Sequence, residues 1–171
     1  MPAHARGKLA PLLSRTMIAL AVACAIVFGF MPVTSANAAT VQETLADGVF
    51  QNEPGSTGRC TIYAATNLLR RAALLNGDSD WESITTSSIP SSGGLLWSFS
   101  VSTANATYTV EHGSVDGTDE EKAAQLVELL EENPAGIVLY AGNCSNPHAV
   151  LLLGYEAGTF YAHDALTGAT S

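Results

Sequence analysis

Cys60 opens the run CTIYAATNLLRRAALL, in which Ile62, Ala65, Leu68, Leu69, Ala72 and Leu75 recur at steps of three and four, so the spacing predicts a thiol in the first turn of a buried helix. That position suits a nucleophile. The partial positive charge at a helix N-terminus favours the thiolate, and the backbone N–H groups there can bind an oxyanion. His148 follows Pro147 and precedes AVLLLGY, a run apolar enough for a buried strand, which presents an imidazole at the core edge where a general base is wanted. Asp164 closes the next strand, sixteen residues on, and a hairpin turning near Ala157 makes it the neighbour of His148, able to orient the ring and stabilise its charged form. His163, facing the other side of its strand, is expected at the surface, where replacement by Ala would be nearly silent. His112, ahead of Gly113, is expected in a solvated loop without a partner. Cys60, Cys144, His148 and Asp164 could be written as a zinc ligand set, but the chain has no Cys-x-x-Cys and the Cys144/His148 pair has no counterpart. It contains neither GxGxxG nor a P-loop. No metal or organic cofactor is expected.

These residues need a scaffold. Ser56 or Thr57 can cap the Cys60 helix, and Asn76-Gly77-Asp78 stops it. Ser79 and Glu82 have capping-box spacing for a short helical piece around Trp81 to Thr86, a Ser/Gly/Pro loop follows to Gly94, and an aromatic-rich segment runs to Phe99. Ala106 to Glu111 alternates as a strand. Thr118 and Glu121 form a second capping box for an amphipathic helix ending at Asn133-Pro134. Gly136–Ala141, His148–Tyr155 and Thr159–Asp164 read as strands, the last two joined through Glu156, Ala157 and Gly158. Helices followed by antiparallel strands predict an α+β fold.

Charge and composition bound the function. The net charge is −9, and residues 1–38 hold Arg6, Lys8 and Arg15 but no acid, so residues 39–171 carry four basic groups against sixteen acids, a net of −12. A polybasic nucleic-acid binder is excluded. The acids of the second helix read as a solvated face. Met17 to Phe30 is an uncharged apolar run of fourteen behind a basic start, with Ala36 and Ala38 as small residues before Ala39. This reads as a secretory signal over residues 1–38, cleaved between Ala38 and Ala39, which makes the protein secreted or extracytoplasmic and confines membrane contact to the uncleaved segment. One domain, residues 39–171, remains. Cys60 and Cys144 are its thiols, and export permits a disulfide between them.

GRCTIYAATNLLRR, PHAVLLLGY and GTFYAHDA, with Trp81 to Thr86 and LLWSFS between them, resemble the papain-fold cysteine peptidases of the bacteriocin-processing (double-glycine leader) type, in particular their secreted, transporter-free relatives. The resemblance covers most of residues 50–166. It implies a papain-like α+β fold, a catalytic helix packed on an antiparallel sheet, with Cys60 as nucleophile, His148 as base and Asp164 as orienting acid. It also implies a Gln completing the oxyanion hole, for which Gln51, nine residues before the Cys, is the candidate. Relatives continue into another strand after the acid, whereas seven residues follow Asp164 here, so the resemblance further implies a sheet that is short at its C-terminal edge. The expected activity is hydrolysis of peptide bonds in a peptide or protein substrate. The alternatives are an inactive secreted binding domain with a Cys60–Cys144 disulfide, and a cell-wall amidase or transpeptidase.

Overall fold

The structure, a computed structural model, describes residues 48–90, 98–141 and 147–170 together with the backbone of one strand, Ala23–Phe28. Among the described residues lie strand β1 (Ala23–Phe28), helix α1 (Cys60–Leu75), β2 (Phe99–Ser102), β3 (Thr107–Gly113), helix α2 (Asp119–Glu132), β4 (Ile137–Ala141), β5 (His148–Glu156), β6 (Thr159–Asp164) and β7 (Ala169–Thr170). The strands form one sheet in the order β2-β3-β1-β4-β5-β6-β7, with every neighbouring pair antiparallel. The class is therefore α+β. No helix among the described residues is long and apolar enough to cross a membrane.

The unbroken apolar sequence of β5 has a simple cause: both faces of the sheet are covered. Ala149, Leu151 and Leu153 join Leu68, Leu69, Val110 and Val138 in the core under α1. Leu152, with the partly buried Val150, packs on the other side with Ile137, Val115 and Leu126 of α2. Alternation along one strand thus feeds two cores. Gly136, at φ 102°, admits β4 to this packing, since a Cβ there would lie 2.3 Å from the Leu152 carbonyl oxygen.

Helix α1 is buried well beyond its apolar stripe, including Thr66, Asn67, Arg70 and Arg71. Each polar side chain finds a use. Thr66 Oγ1 donates to the Ile62 carbonyl (2.8 Å), the Arg70 guanidinium lies 4.7 Å from the Trp81 ring centroid, and Arg71 Nη1 donates to the Pro134 carbonyl (2.8 Å) just ahead of β4. The LLRR end of α1 is thus a structural tie.

Several local expectations are corrected. Neither Ser56 nor Thr57 caps α1; its N-cap is Arg59, without a side-chain cap. The Ser79/Glu82 box is replaced by two short 3₁₀ turns, Trp81–Ser83 and Thr86–Ser88, the second capped reciprocally by Thr85 and Ser88, because Asp78 Oδ1 takes the Asp80 N–H (2.9 Å) and turns the chain earlier. His112 lies in β3, half-buried, and its N–H donates to Ser98 Oγ (3.0 Å). The Thr118/Glu121 box forms as expected. In the β5–β6 hairpin Ala157 and Gly158 both take positive φ, 49° and 86°, the geometry of a tight two-residue turn.

Ala23–Phe28, inside the run read as the apolar core of a secretory signal, pairs with both β3 and β4. An uncharged apolar run meets the needs of a fully buried strand as well as those of a signal. The remainder of residues 1–38, the proposed cleavage point, most of the Gly94 to Phe99 segment and Cys144 fall outside the described residues.

Candidate functional site

His148 begins β5 and Asp164 ends β6, and their strands pair antiparallel. The hairpin converts their separation in sequence into contact: His148 Nε2 lies 3.0 Å from Asp164 Oδ1. The same carboxylate oxygen accepts the Leu166 N–H at 2.9 Å, which fixes it before it meets the ring. Burial pushes the Asp164 carboxyl up, but the Leu166 N–H and the nearby His148 outweigh this and hold it below the usual carboxylate value. The His148 and Asp164 side chains are 34% and 26% exposed, so the pair is sheltered yet reachable. With Nε2 turned to the carboxylate, Nδ1 is the nitrogen left for proton transfer.

Cys60 is the first residue of α1, half-buried, with a free thiol. Its backbone N–H falls where a helix has no intrahelical acceptor to offer. Helix α1 packs on β5, the strand that His148 opens.

Glu53, which the sequence did not single out, ties these parts together. It is only 5% exposed. Its Oε1 accepts the N–H groups of Thr57 (2.8 Å) and Arg59 (3.0 Å) and the Thr57 hydroxyl, so the carboxylate shapes the loop entering α1 and supplies the order that a capping side chain would give. Its own N–H donates to the Ala165 carbonyl (2.7 Å), beside Asp164. Burial pushes this carboxyl up; the Thr57 hydroxyl and the two N–H donors, with a smaller pull from His148, bring it below its ordinary value. One buried residue thus touches the residue before Cys60 and the residue after Asp164, and feels His148. The signal available in the sequence was a lone acid in a Pro/Gly loop seven residues before the Cys.

Gln51 is held elsewhere. Its N–H donates to Asn67 Oδ1 (2.7 Å) and its carbonyl accepts from Asn67 Nδ2 (3.1 Å), which fastens its backbone about 10 Å of helix rise along α1 from Cys60. The strap Val49–Glu53 is therefore pinned between α1 and the end of β6.

His163 is a correction: it is 3% exposed, not superficial. Its ring stacks on Phe50 of the strap at 4.5 Å, Nδ1 sits 3.2 Å from Thr170 Oγ1 of β7, and Nε2 is buried without a partner. Alternation does turn it away from Asp164, but toward the core, because strap and β7 cover that side. Burial holds its imidazole below the ordinary histidine value, against a smaller upward pull from Asp164.

Among the described residues no cluster of three or more His, Cys, Asp or Glu side chains could hold a metal ion; Cys144 of the four-residue set lies outside them. No protein-family model, curated protein or solved structure matches the chain.

Proposed function

We propose that the protein is an exported cysteine peptidase of papain-like fold, working through Cys60, His148 and Asp164. The observation that carries this reading is the His148–Asp164 contact at 3.0 Å beside a helix whose first residue is a free cysteine. His148 Nδ1 takes the Cys60 proton, and the thiolate sulfur attacks the peptide carbonyl carbon. The oxyanion formed is met by the Cys60 backbone N–H; Gln51 would have to reach back from its Asn67 clasp to assist. As the C–N bond breaks, the imidazolium gives its proton to the leaving amine. Water then attacks the thioester, giving one proton to His148, and the acid and the free thiol are restored. Asp164 holds the ring in the orientation and tautomer each transfer needs. No metal or organic cofactor enters these steps.

The alternative, an inactive binding domain, requires a Cys60–Cys144 disulfide, so the same chain should then show no free Cys60 thiol to alkylation. The test is hydrolysis of a mixed peptide library by the full chain. Cleavage that disappears in Cys60→Ala and in His148→Ala, with the far-ultraviolet circular dichroism unchanged, supports it. Cleavage that survives Cys60→Ala overturns it.

A further inference from the structure

We infer that His163 is the latch of an acid-released cover: protonation of its ring frees the strap Val49–Glu53 and strand β7 from the end of β6, and with them the loop that leads into α1. The latch works whether or not Cys60 is a nucleophile.

The ring is held from three sides. Phe50 of the strap stacks on it with 4.5 Å between centroids and 22° between planes, Thr170 Oγ1 of β7 meets Nδ1 at 3.2 Å, and Leu151 of β5 lies opposite in the ladder. Nε2 is buried without a hydrogen-bond partner among the described residues. A neutral ring tolerates this, with Nδ1–H donating to Thr170 and Nε2 left as a bare lone pair. A protonated ring does not. Both nitrogens are then donors, and the charged Nε2–H has no acceptor in a site only 3% exposed. Opening the strap brings water to Nε2, so the open form takes up the proton more readily than the closed one.

Among the described residues no charge makes good the missing acceptor. Phe50, Leu151 and Thr170 are not ionisable. On the ring's own strand the adjacent Asp164 points to the other face, where His148 and the Leu166 N–H hold it, and its upward pull on the imidazole is smaller than the downward effect of burial. Glu53 of the strap is committed to the Thr57 and Arg59 N–H groups. Helix α1, which clasps the strap through Asn67, carries Cys60 and Tyr63 near its head and the buried Arg70 and Arg71 toward its end, so its fixed charges are cations and offer no acceptor.

The remaining contacts show what moves with the latch. Strand β7 is two residues long and pairs with β6 only at His163 and Asp164, too little to hold alone. Asn52 of the strap packs so closely on the turn before β7 that a Cβ at Gly168 would lie 2.9 Å from its Nδ2. The Glu53 N–H reaches the Ala165 carbonyl, while its carboxylate orders the loop up to Arg59. Release of Phe50 and Thr170 from His163 therefore loosens strap, turn and loop together.

The experiment is hydrogen exchange of the full chain read by mass spectrometry at about pH 7.5 and about pH 5, either side of the ordinary histidine value. Rates are corrected for the intrinsic pH dependence of amide exchange, and low urea separates local from global opening. Peptides covering 49–58 and 164–170 should exchange by an opening that low urea leaves unchanged, and in the wild type their corrected rates should rise about tenfold at the lower pH. In His163→Phe, which keeps a ring on Phe50 and takes up no proton, that rise should vanish. An equal rise in H163F, or a strap that exchanges only through the urea-sensitive opening that also exposes β5, would overturn the latch. Should H163F not fold, nuclear magnetic resonance titration of the wild-type His163 ring decides. Strap amides that lose protection over the pH range in which the ring is protonated support the latch, and a ring that is protonated while the strap stays closed overturns it.

Discussion

At the scale of residues, the thiol, the imidazole and the carboxylate were legible because each stands at a boundary that periodicity marks: the first turn of a helix, the first residue of a strand, the last residue of the next. Glu53 and His163 were not, for a common reason. Each owes its burial to the strap Val49–Glu53, which has no periodicity and is ordered by contacts distant in sequence, to Asn67, Ala165 and His163 itself. The expectation of a silent His163→Ala therefore changes. Losing the Phe50 stack from a buried site should cost about 2 kcal/mol of stability, measured by urea denaturation. The pH dependence follows from the same burial. The unfolded chain takes up a proton near the ordinary histidine value, about 6.5, while the folded site resists it, so stability holds above that pH and declines as pH falls through it. His163→Phe, which keeps a ring against Phe50, should remove this decline; an unchanged slope would show that another group causes it.

At the scale of elements, Asp78 does for the 76–106 region what Glu53 does for the loop entering α1. It is buried and accepts from the Tyr108 hydroxyl (2.8 Å), Thr103 Oγ1 (2.6 Å), Asn105 Nδ2 (2.7 Å) and the Asp80 N–H (2.9 Å), joining the end of α1 to the β2–β3 hairpin. Burial alone would raise its carboxyl, but these donors bring it to about 2. Its contribution to stability is therefore complete above about pH 4 and lost as pH falls toward 2. Asp78→Ala should cost about 3 kcal/mol and flatten that acid limb; a loss under about 0.5 kcal/mol in chemical denaturation would contradict the hub. The β5–β6 hairpin carries a smaller imperfection: Ala157 holds a left-handed φ of 49°, a conformation that Asn tolerates better than Ala. Ala157→Asn should raise stability by about 0.5 kcal/mol, read as a higher urea midpoint, and leave the His148–Asp164 contact in place. The hairpin itself was readable because both turn residues and the alternation of β6 point to it. The capping of α1 was not, since a buried acid six residues before Arg59 replaces the local Ser/Thr signal.

At the scale of the whole molecule, the antiparallel α+β class followed from the order of periodic runs, whereas the two-sided burial of the sheet was hidden by the mixed composition of β3 and by the second use of the apolar run at residues 23–28. With β1 in place, β3 and β4 each have a ladder partner and run parallel to one another two strands apart. If the leader is removed, both lose that partner, so their amides should exchange hydrogen faster in the processed chain than in the unprocessed one, while β5 and β6 change little. Equal protection in both forms would show that β3 and β4 find another partner after processing. The peptidase reading makes its own demand on the entire fold, that one thiol be made reactive by the neighbours the sheet and helix bring to it. The most direct test is mass-spectrometric labelling of the full chain with a thiol-directed peptidase inhibitor, followed by peptide mapping. The reading predicts one label, on Cys60, formed rapidly near neutral pH and lost in His148→Ala; a Cys60 left unlabelled, or labelled equally in His148→Ala, would contradict it.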